Sequence, residues 1–537
     1  MSEAFDVVVA GAGHNSLIAA AYLSTAGMRC LVVDARAVAG GDTATEELTL
    51  PGFLHDSCST SHNLIQSSPT LRRDELGLSA LGLEYLYPDP VVHVPFPDGS
   101  SITQWRELDR TCAELARFSR RDADAYRDLV DRYSAVAPVV GAWRYTPIGW
   151  GPALADALLA APDGAKWVRR AAASAWDEIA ATFEEEHVRA FMAWMAFTTV
   201  QPLEQPGTGL NAYSLVYGRQ QHSWVVPRGG SGALPAALVR VVEAAGGEVR
   251  TGETVVALRL EHGRCVGVET GHGARYDATR AVLSTIHVKH LVEMAPSELW
   301  DESFRYSVDS WKPGIGMFVT HYALSAPLEY PGEGGALRPL ASGIPVSTSR
   351  LRDVEVDVRR GRVALDDPPL LVLCPTAVDA SRAPEARHVL KVVGFHPYDV
   401  EGGAARWDDI AEEVSDAHLR HLRRYSPDLT DETILARSVH SPLDLERANA
   451  HNWHGSCHGG DSGPAQSGAL RPAAGWATHR MPIPGLYQTG STTHPGGSVS
   501  GAPGRNAARV ILRDLGIDLD EVVARSTSAR AHGLPGS

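Results

Sequence analysis

The 537-residue sequence predicts an α/β protein in which a Rossmann-like nucleotide-binding domain is interleaved with a second domain of mixed sheet and helices. The first observation is a strand, turn and helix near the N-terminus: an apolar run from Phe5 to Ala10, the turn GAGHNS, and an apolar helix from Leu17. The second is the glycine-rich segment HPGGSVSGAPGRNAAR, His494 to Arg509, which follows an apolar strand. Segments of this kind bring a backbone close to a ligand.

The N-terminal turn has the features of a dinucleotide site. Gly11 permits the tight turn, and Gly13 lets backbone N–H groups approach a pyrophosphate at the positive end of the helix. Asp34 ends the next strand, where an acid accepts a hydrogen bond from a ribose 2′-hydroxyl and disfavours a 2′-phosphate. Other residues expected beside the cofactor here are His14, Asn15, Ser16 (small enough to replace a third glycine) and Ala35. The pattern indicates NAD or FAD.

The next segment and the C-terminal end favour FAD. Gly40 and Gly41 form a diglycine turn just after the acidic strand end, and it leads into a hydroxyl-rich segment with Asp42, Thr43 and Thr45. A C-terminal strand at residues 485–490 then runs into the second glycine-rich turn and a helix. An N-terminal nucleotide turn completed by a C-terminal strand, turn and helix is the layout of large FAD enzymes.

In these motifs the chain resembles the phytoene dehydrogenase-like flavoproteins, which include carotenoid desaturases and isomerases, within the flavin amine-oxidase superfamily. The motifs are DVVVAGAGHN, PGFLHDSCST, WVVPRGGSGALPAAL and GLYQTGSTTHPGGSVSGAPGRNAA. The resemblance implies bound FAD and a glutathione-reductase-like FAD-binding domain. It also implies that Val255 or Val256 holds the adenine through its backbone, and that the flavin lies near the C-terminal residues Gly490, Ser491, Gly497, Ser498, Val499 and Ser500.

Two departures separate the chain from typical amine oxidases. Ser498 stands where those enzymes carry an aromatic residue, and Met317 stands where they carry a lysine, with Lys312 only at the entrance of that strand. The resemblance therefore implies removal of a hydride from an activated C–H bond of a small to medium hydrophobic substrate, forming C=C or C=N. The electron acceptor is expected to be oxygen or a quinone-like compound. The alternatives are a redox-neutral double-bond isomerase, an amine oxidase and a non-catalytic FAD-binding protein.

Two histidines are the candidate proton acceptors. His494 precedes the C-terminal glycines, and His62, like His55, lies in the polar segment expected to return toward the flavin. A neutral imidazole accepts a proton near pH 7.

The expected domains alternate along the chain. FAD-binding segments are predicted at residues 1–104, 221–300 (with a strand meander) and 451–523, a helical substrate lobe at 105–220, a substrate sheet with helices at 301–450, and a flexible tail at 524–537.

Composition excludes several classes of protein. A net charge of −15 argues against a nucleic-acid partner. The six cysteines are dispersed, without a CxxC pair or zinc spacing, so neither a metal site nor dithiol chemistry is expected. The chain begins without a leader pattern and contains no apolar run of the roughly 18 residues that span a bilayer, so a cytoplasmic setting is expected. Peripheral membrane contact through the apolar stretch 136–161 stays open.

Overall fold

The computed structural model of the protein describes residues 3–332 and 335–531. Its strands are β1 (Glu3–Ala10), β2 (Cys30–Asp34), β3 (Thr45–Glu47), β4 (Leu54–Asp56), β5 (Tyr85–Leu86), β6 (Val92–Pro95), β7 (Ser101–Gln104), β8 (Val226–Pro227), β9 (Glu248–Thr251), β10 (Val255–Glu261), β11 (Arg264–Thr270), β12 (Arg275–Ser284), β13 (Gly316–Leu324), β14 (Ala341–Ile344), β15 (Leu370–Leu373), β16 (His388–His396), β17 (Ile434–His440) and β18 (Leu486–Gln488).

The α-helices are α1 (His14–Thr25), α2 (Pro69–Arg72), α3 (Leu108–Ala116), α4 (Arg120–Arg144), α5 (Leu154–Leu159), α6 (Gly164–Ala172), α7 (Ala175–Thr182), α8 (Glu186–Phe197), α9 (Asn211–His222), α10 (Ala233–Ala244), α11 (Val288–Leu291), α12 (Glu302–Asp309), α13 (Thr348–Arg359), α14 (Trp407–Arg423), α15 (Pro442–Ala448), α16 (Ala502–Asp514) and α17 (Leu519–Ala531).

The first sheet contains both ends of the chain. Its order is β10-β11-β12-β1-β2-β9, and β18 pairs with β12. The strands β9, β2, β1, β12 and β18 run parallel, whereas β10, β11 and the first part of β12 form an antiparallel meander. The C-terminal strand therefore lies beside the N-terminal nucleotide turn, as the sequence predicts.

The second sheet has the order β17-β13-β16-β15-β14-β6-β7. It includes β6 and β7, although the sequence places residues 92–104 in the first FAD-binding segment. The correction is that Ser342 of β14 pairs with His93 of β6, so this hairpin extends the other sheet. A hairpin has the same local pattern in either sheet, and only its long-range partner decides which sheet it joins.

The layers around the first sheet bury the nucleotide-binding helix completely. In α1 the apolar residues from Leu17 to Leu23 are all fully buried, because α10 and α16 pack against it. The helical lobe α3–α9 packs with the second sheet in a separate apolar core. The predicted α/β architecture with two interleaved domains is confirmed.

Several boundaries differ from those predicted. The apolar spacing of residues 122–135 predicts a helix there, whereas α4 extends from Arg120 through Pro138 to Arg144. Helix α9 begins within the helical lobe predicted at residues 105–220 and ends at His222, just beyond it. The expected flexible tail from residue 524 is helical as far as Ala531, and Arg530 is anchored by hydrogen bonds to the carbonyls of Asp74 and Glu75, each 3.0 Å. Residues 532–537 lie outside the described part of the chain.

In the described ranges, no helix combines the length and the apolar character that crossing a membrane requires.

Candidate active site

One large cavity joins the two sheets and the helical lobe. Its volume is about 880 Å³, at the upper end of the range for cofactor and small-molecule sites. Among the residues expected to contact the cofactor, those that line it are Gly11, Gly13, His14, Asn15, Asp34, Ala35, Gly41, Asp42, Val255, Gly490, Ser491, Gly497, Ser498 and Val499. Segments distant in sequence thus meet in one site.

The nucleotide end is built on the N-terminus of α1. Gly13 precedes this helix with φ −67° and ψ 160°, no side chain caps it, and no acid lies in its first turn. Its first amides are therefore free for an anion. A Cβ added at Gly13 would meet only Ser16 Oγ, at 4.0 Å, so the glycine leaves space on its cavity side. Gly11 has a different role, since its φ is +100° and an added Cβ would lie 2.3 Å from Thr285 Cγ2.

Asp34 is held in position before any ligand binds. Its Oδ2 accepts a hydrogen bond from the Ala12 amide at 2.5 Å, and its Oδ1 accepts one from the Arg36 amide at 2.8 Å. Burial raises the pKa of this carboxyl, and the two backbone bonds oppose the rise. The carboxylate keeps lone pairs facing the cavity, as an acceptor for a ribose hydroxyl requires.

The C-terminal motif meets the N-terminal turn through His14. The His14 ring is hydrogen-bonded to Asn15 Nδ2 at 3.1 Å and to the Ser498 carbonyl, and burial lowers its pKa to about 4. Ser498 has a φ of +84°, a conformation that favours glycine, on the cavity wall. Gly497 lies against the backbone of His458, which a Cβ would approach to 2.5 Å. The packing of the protein itself therefore requires this glycine.

Six expected contact residues lie behind the cavity wall. They are Ser16, Gly40, Thr43, Thr45, Val256 and Ser500, none of which lines the cavity. Ser16 Oγ donates to the carbonyl of Gly11, and Thr45 Oγ1 to Asp56, so both hold loops in place. Of the two valines left open by the sequence, Val255 lines the cavity and Val256 is half-exposed on the other side of its strand.

The two candidate catalytic histidines are not among the residues that line the cavity. His494 Nε2 bonds the Trp143 carbonyl at 3.1 Å, and His62 Nε2 bonds Ser231 Oγ at 2.7 Å. Burial lowers the pKa of each to about 3. Both rings are neutral links between segments and do not reach the cavity wall.

The part of the cavity opposite the nucleotide turn is mainly apolar. Met317, Leu371, Leu373 and Val393 of the second sheet form its floor. Tyr133, Ala137 and Val140 of α4 and Leu215 and Tyr217 of α9 form its wall, so part of the stretch 136–161 serves the cavity.

The structure also brings together cavity residues that the sequence does not connect. Cys58 and Cys457 both line the cavity, and the Cys58 thiol is hydrogen-bonded to Cys457, although all six cysteines are free. The cysteines are dispersed along the sequence, but the fold brings Cys58 and Cys457 together. Lys391 also lines the cavity, and its buried Nζ donates to the carbonyls of Asp56, at 3.0 Å, and of Cys58. A single lysine within the apolar strand β16 is the signal that could have indicated it.

Among the described residues, no cluster of histidine, cysteine or acidic side chains forms a metal site. The uncapped helix N-terminus, the open space beside Gly13 and the preset Asp34 carboxylate fit the adenosine diphosphate part of FAD. The cavity continues from there to the C-terminal motif, with room for the rest of the cofactor.

Comparison with known proteins agrees with this site. The family model for flavin containing amine oxidoreductases matches residues 17–311, more than half of the chain. The chain belongs to this family and is an FAD-dependent oxidoreductase.

Relatives of known name cover the chain almost completely. It is similar to one of the subunits of the limonene dehydrogenase of Castellaniella defragrans, with 27% identity over 98% of each chain. It is also similar to a lycopene-forming phytoene desaturase of Pantoea ananas, with 26% identity over 94% of this chain and 99% of that protein. The fold resembles that of an oxidoreductase from Methanosarcina mazei, with a TM-score of 0.59, 17% identity, and coverage of 95% of this chain and 99% of the other. The predicted resemblance and the FAD cofactor are confirmed.

Proposed function

We propose that the protein is an FAD-dependent dehydrogenase that removes a hydride from an activated C–H bond of a small to medium, mainly apolar compound. The observation that carries the proposal is the single cavity, because its nucleotide end and its apolar end form one continuous space. Bound FAD supplies the two-electron acceptor. The relatives named as a limonene dehydrogenase and a phytoene desaturase support hydrogen removal as the reaction.

The chain's own residues have three tasks in this proposal. The α1 N-terminus and Asp34 hold the nucleotide part of the cofactor. Gly497, Ser498 and Val499 line the cavity beyond the nucleotide end and would hold the ring system. The apolar floor of the second sheet keeps water away and orients the substrate.

Proton transfer does not depend on His494 or His62 in this proposal, since neither lines the cavity. A hydride leaving an activated carbon requires no strong base where water can take the proton. We propose oxygen or a quinone-like compound as the final electron acceptor, and a cytoplasmic setting.

An anaerobic single-turnover experiment tests the reaction type. FAD-loaded enzyme is mixed with candidate apolar substrates, and the oxidised flavin band and the product mass are followed together. Dehydrogenation bleaches the band in proportion to the product, which is lighter by two hydrogen atoms. A product of unchanged mass, formed only after the flavin has been reduced with dithionite, would show an isomerase instead.

A further inference from the structure

The cavity wall has two buried cations, Lys391 of β16, described above, and Arg219 of α9. Arg219 of α9 lines the cavity although only 7% of the residue is exposed. Its Cζ lies 4.2 Å from the ring centroid of Trp224. Its Nη1 donates to the Met195 carbonyl at 2.6 Å, and its Nη2 donates to Thr198 Oγ1 at 3.3 Å. An aromatic face and neutral acceptors hold this guanidinium.

No carboxylate of the described chain forms an ion pair with Arg219. Burial lowers the pKa of its guanidinium to about 9, and no acidic neighbour opposes that effect. The acids on the cavity wall are Asp34, Asp42 and Glu253, and all belong to the nucleotide end, where the Glu253 amide donates to the Asp34 carbonyl at 2.8 Å. A buried charge without a counter-ion is strongly unfavourable. The site is therefore incomplete without an anion.

The free donors of Arg219 define the kind of anion. A guanidinium has five N–H groups, and the contacts to Met195 and Thr198 leave Nε–H and one Nη2–H without a protein acceptor. This pair of donors matches the two oxygens of a carboxylate. The neighbouring wall between α4 and α9 presents the apolar Val140 and Leu215 to the cavity, together with the neutral polar Asn211 and Ser214 and the ring of His222. Arg144, at the end of α4, is only partly buried there, so water screens its charge.

We propose that Arg219 binds a carboxylate of the substrate, so that the enzyme acts on a mainly apolar compound carrying one acid group. The assignment rests on the dehydrogenase function proposed above, because it names the substrate class of that cavity. The acid end lies at α9, and the apolar body extends over the floor of the second sheet. Arg219 is then a specificity-determining residue, since it strengthens the binding of compounds that have a carboxylate over that of plain hydrocarbons.

The test is a binding titration that needs no turnover. FAD-loaded enzyme is titrated with hexanoate, octanoate and decanoate and with the corresponding primary alcohols, and the visible spectrum of the flavin and the tryptophan fluorescence are recorded. For the chain length that binds best, the acid is expected to bind at least about 10-fold more tightly than the alcohol, as one charge-assisted pair of hydrogen bonds implies. Acids that fail to bind, or that bind no better than the alcohols, overturn the proposal.

Variants assign the preference to the guanidinium. Arg219→Gln is expected to abolish the preference for the acid, whereas Arg420→Gln, at an exposed arginine of α14, retains it. An Arg219→Gln protein that still prefers the acid overturns the proposal. If that variant fails to hold FAD, Arg219→Lys tests the assignment instead, because lysine keeps the charge but not the pair of parallel donors. The preference for the acid is then expected to fall several-fold, and an unchanged preference refutes the assignment. The saturated acids have no activated C–H bond and are used only as binding probes, so an intact acid preference together with a failed single-turnover experiment would refute only the dehydrogenase function.

Discussion

The nucleotide turn permits a substitution that separates cofactor binding from folding. Gly13→Ala adds a methyl group where the backbone has φ −67° and ψ 160°, a conformation that any residue adopts. The nearest protein atom to the new Cβ is Ser16 Oγ at 4.0 Å, so the fold accommodates it. We expect the stability of the FAD-free variant to stay within about 1 kcal/mol of the wild type, because the smaller freedom of its unfolded chain is offset by the poorer capping of α1 by alanine.

Cofactor binding should weaken in the same variant. The methyl group occupies the cavity beside the first amides of α1, so a pyrophosphate must move away and lose at least one charge-assisted hydrogen bond. Such a bond contributes about 1.5–3 kcal/mol, so the Kd for FAD is expected to rise by about 10- to 150-fold. Titration of FAD-free protein with FAD, followed by flavin fluorescence, measures the affinity, and urea unfolding without FAD measures the stability.

Two other glycines provide controls. Gly11→Ala forces a Cβ to 2.3 Å from Thr285 Cγ2 at a φ of +100°, so it should destabilise the protein even without FAD. Gly218→Ala adds a methyl group at the substrate end, with no protein atom within 4 Å, and should leave FAD affinity unchanged. The reasoning is refuted if Gly13→Ala binds FAD as tightly as the wild type, or if it loses stability as Gly11→Ala does.

Further predictions concern charged groups. Asp34→Ala should weaken FAD binding by about 1.5–3 kcal/mol through loss of the preset acceptor, and an unchanged Kd in the same titration would show that the ribose partner is another residue. Arg505→Met should lower the free energy of unfolding by about 3–5 kcal/mol, because Glu75, 2.8 Å from Arg505 Nε, is left buried without its cation. Denaturant unfolding with saturating FAD measures this loss, and a loss below about 1 kcal/mol would contradict the prediction. Burial disfavours the charged form of the His187 ring, but Glu185 and Asp98 outweigh this effect and raise its pKa above 6.5. The two ion pairs therefore stabilise the fold fully below pH 6.5, and this stabilisation is lost as the pH rises through the raised pKa. His187→Gln should therefore cost up to about 1 kcal/mol at pH 5.5 and less at pH 8.5, and a cost that grows with pH would refute this sign.

The sequence by itself determined the elements whose signals are local. The strand, turn and helix around Gly11 and Gly13 follow from neighbouring residue types, and Asp34 follows from its distance to that turn. The same holds for the C-terminal strand and helix, which follow from the residues on either side of the glycine-rich turn between them. The roles assigned to individual site residues stay predictions until a cofactor titration tests them.

Only the tertiary structure decided which side chains face the cavity. His62 and His494 have the residue type of a catalytic base, but packing turns them toward Ser231 and Trp143. Arg219 gives no signal in the sequence because its importance lies in the carboxylate that is missing from its surroundings. Contacts between residues distant in the chain depend on how the sheets and helices pack, and local periodicity does not encode that packing.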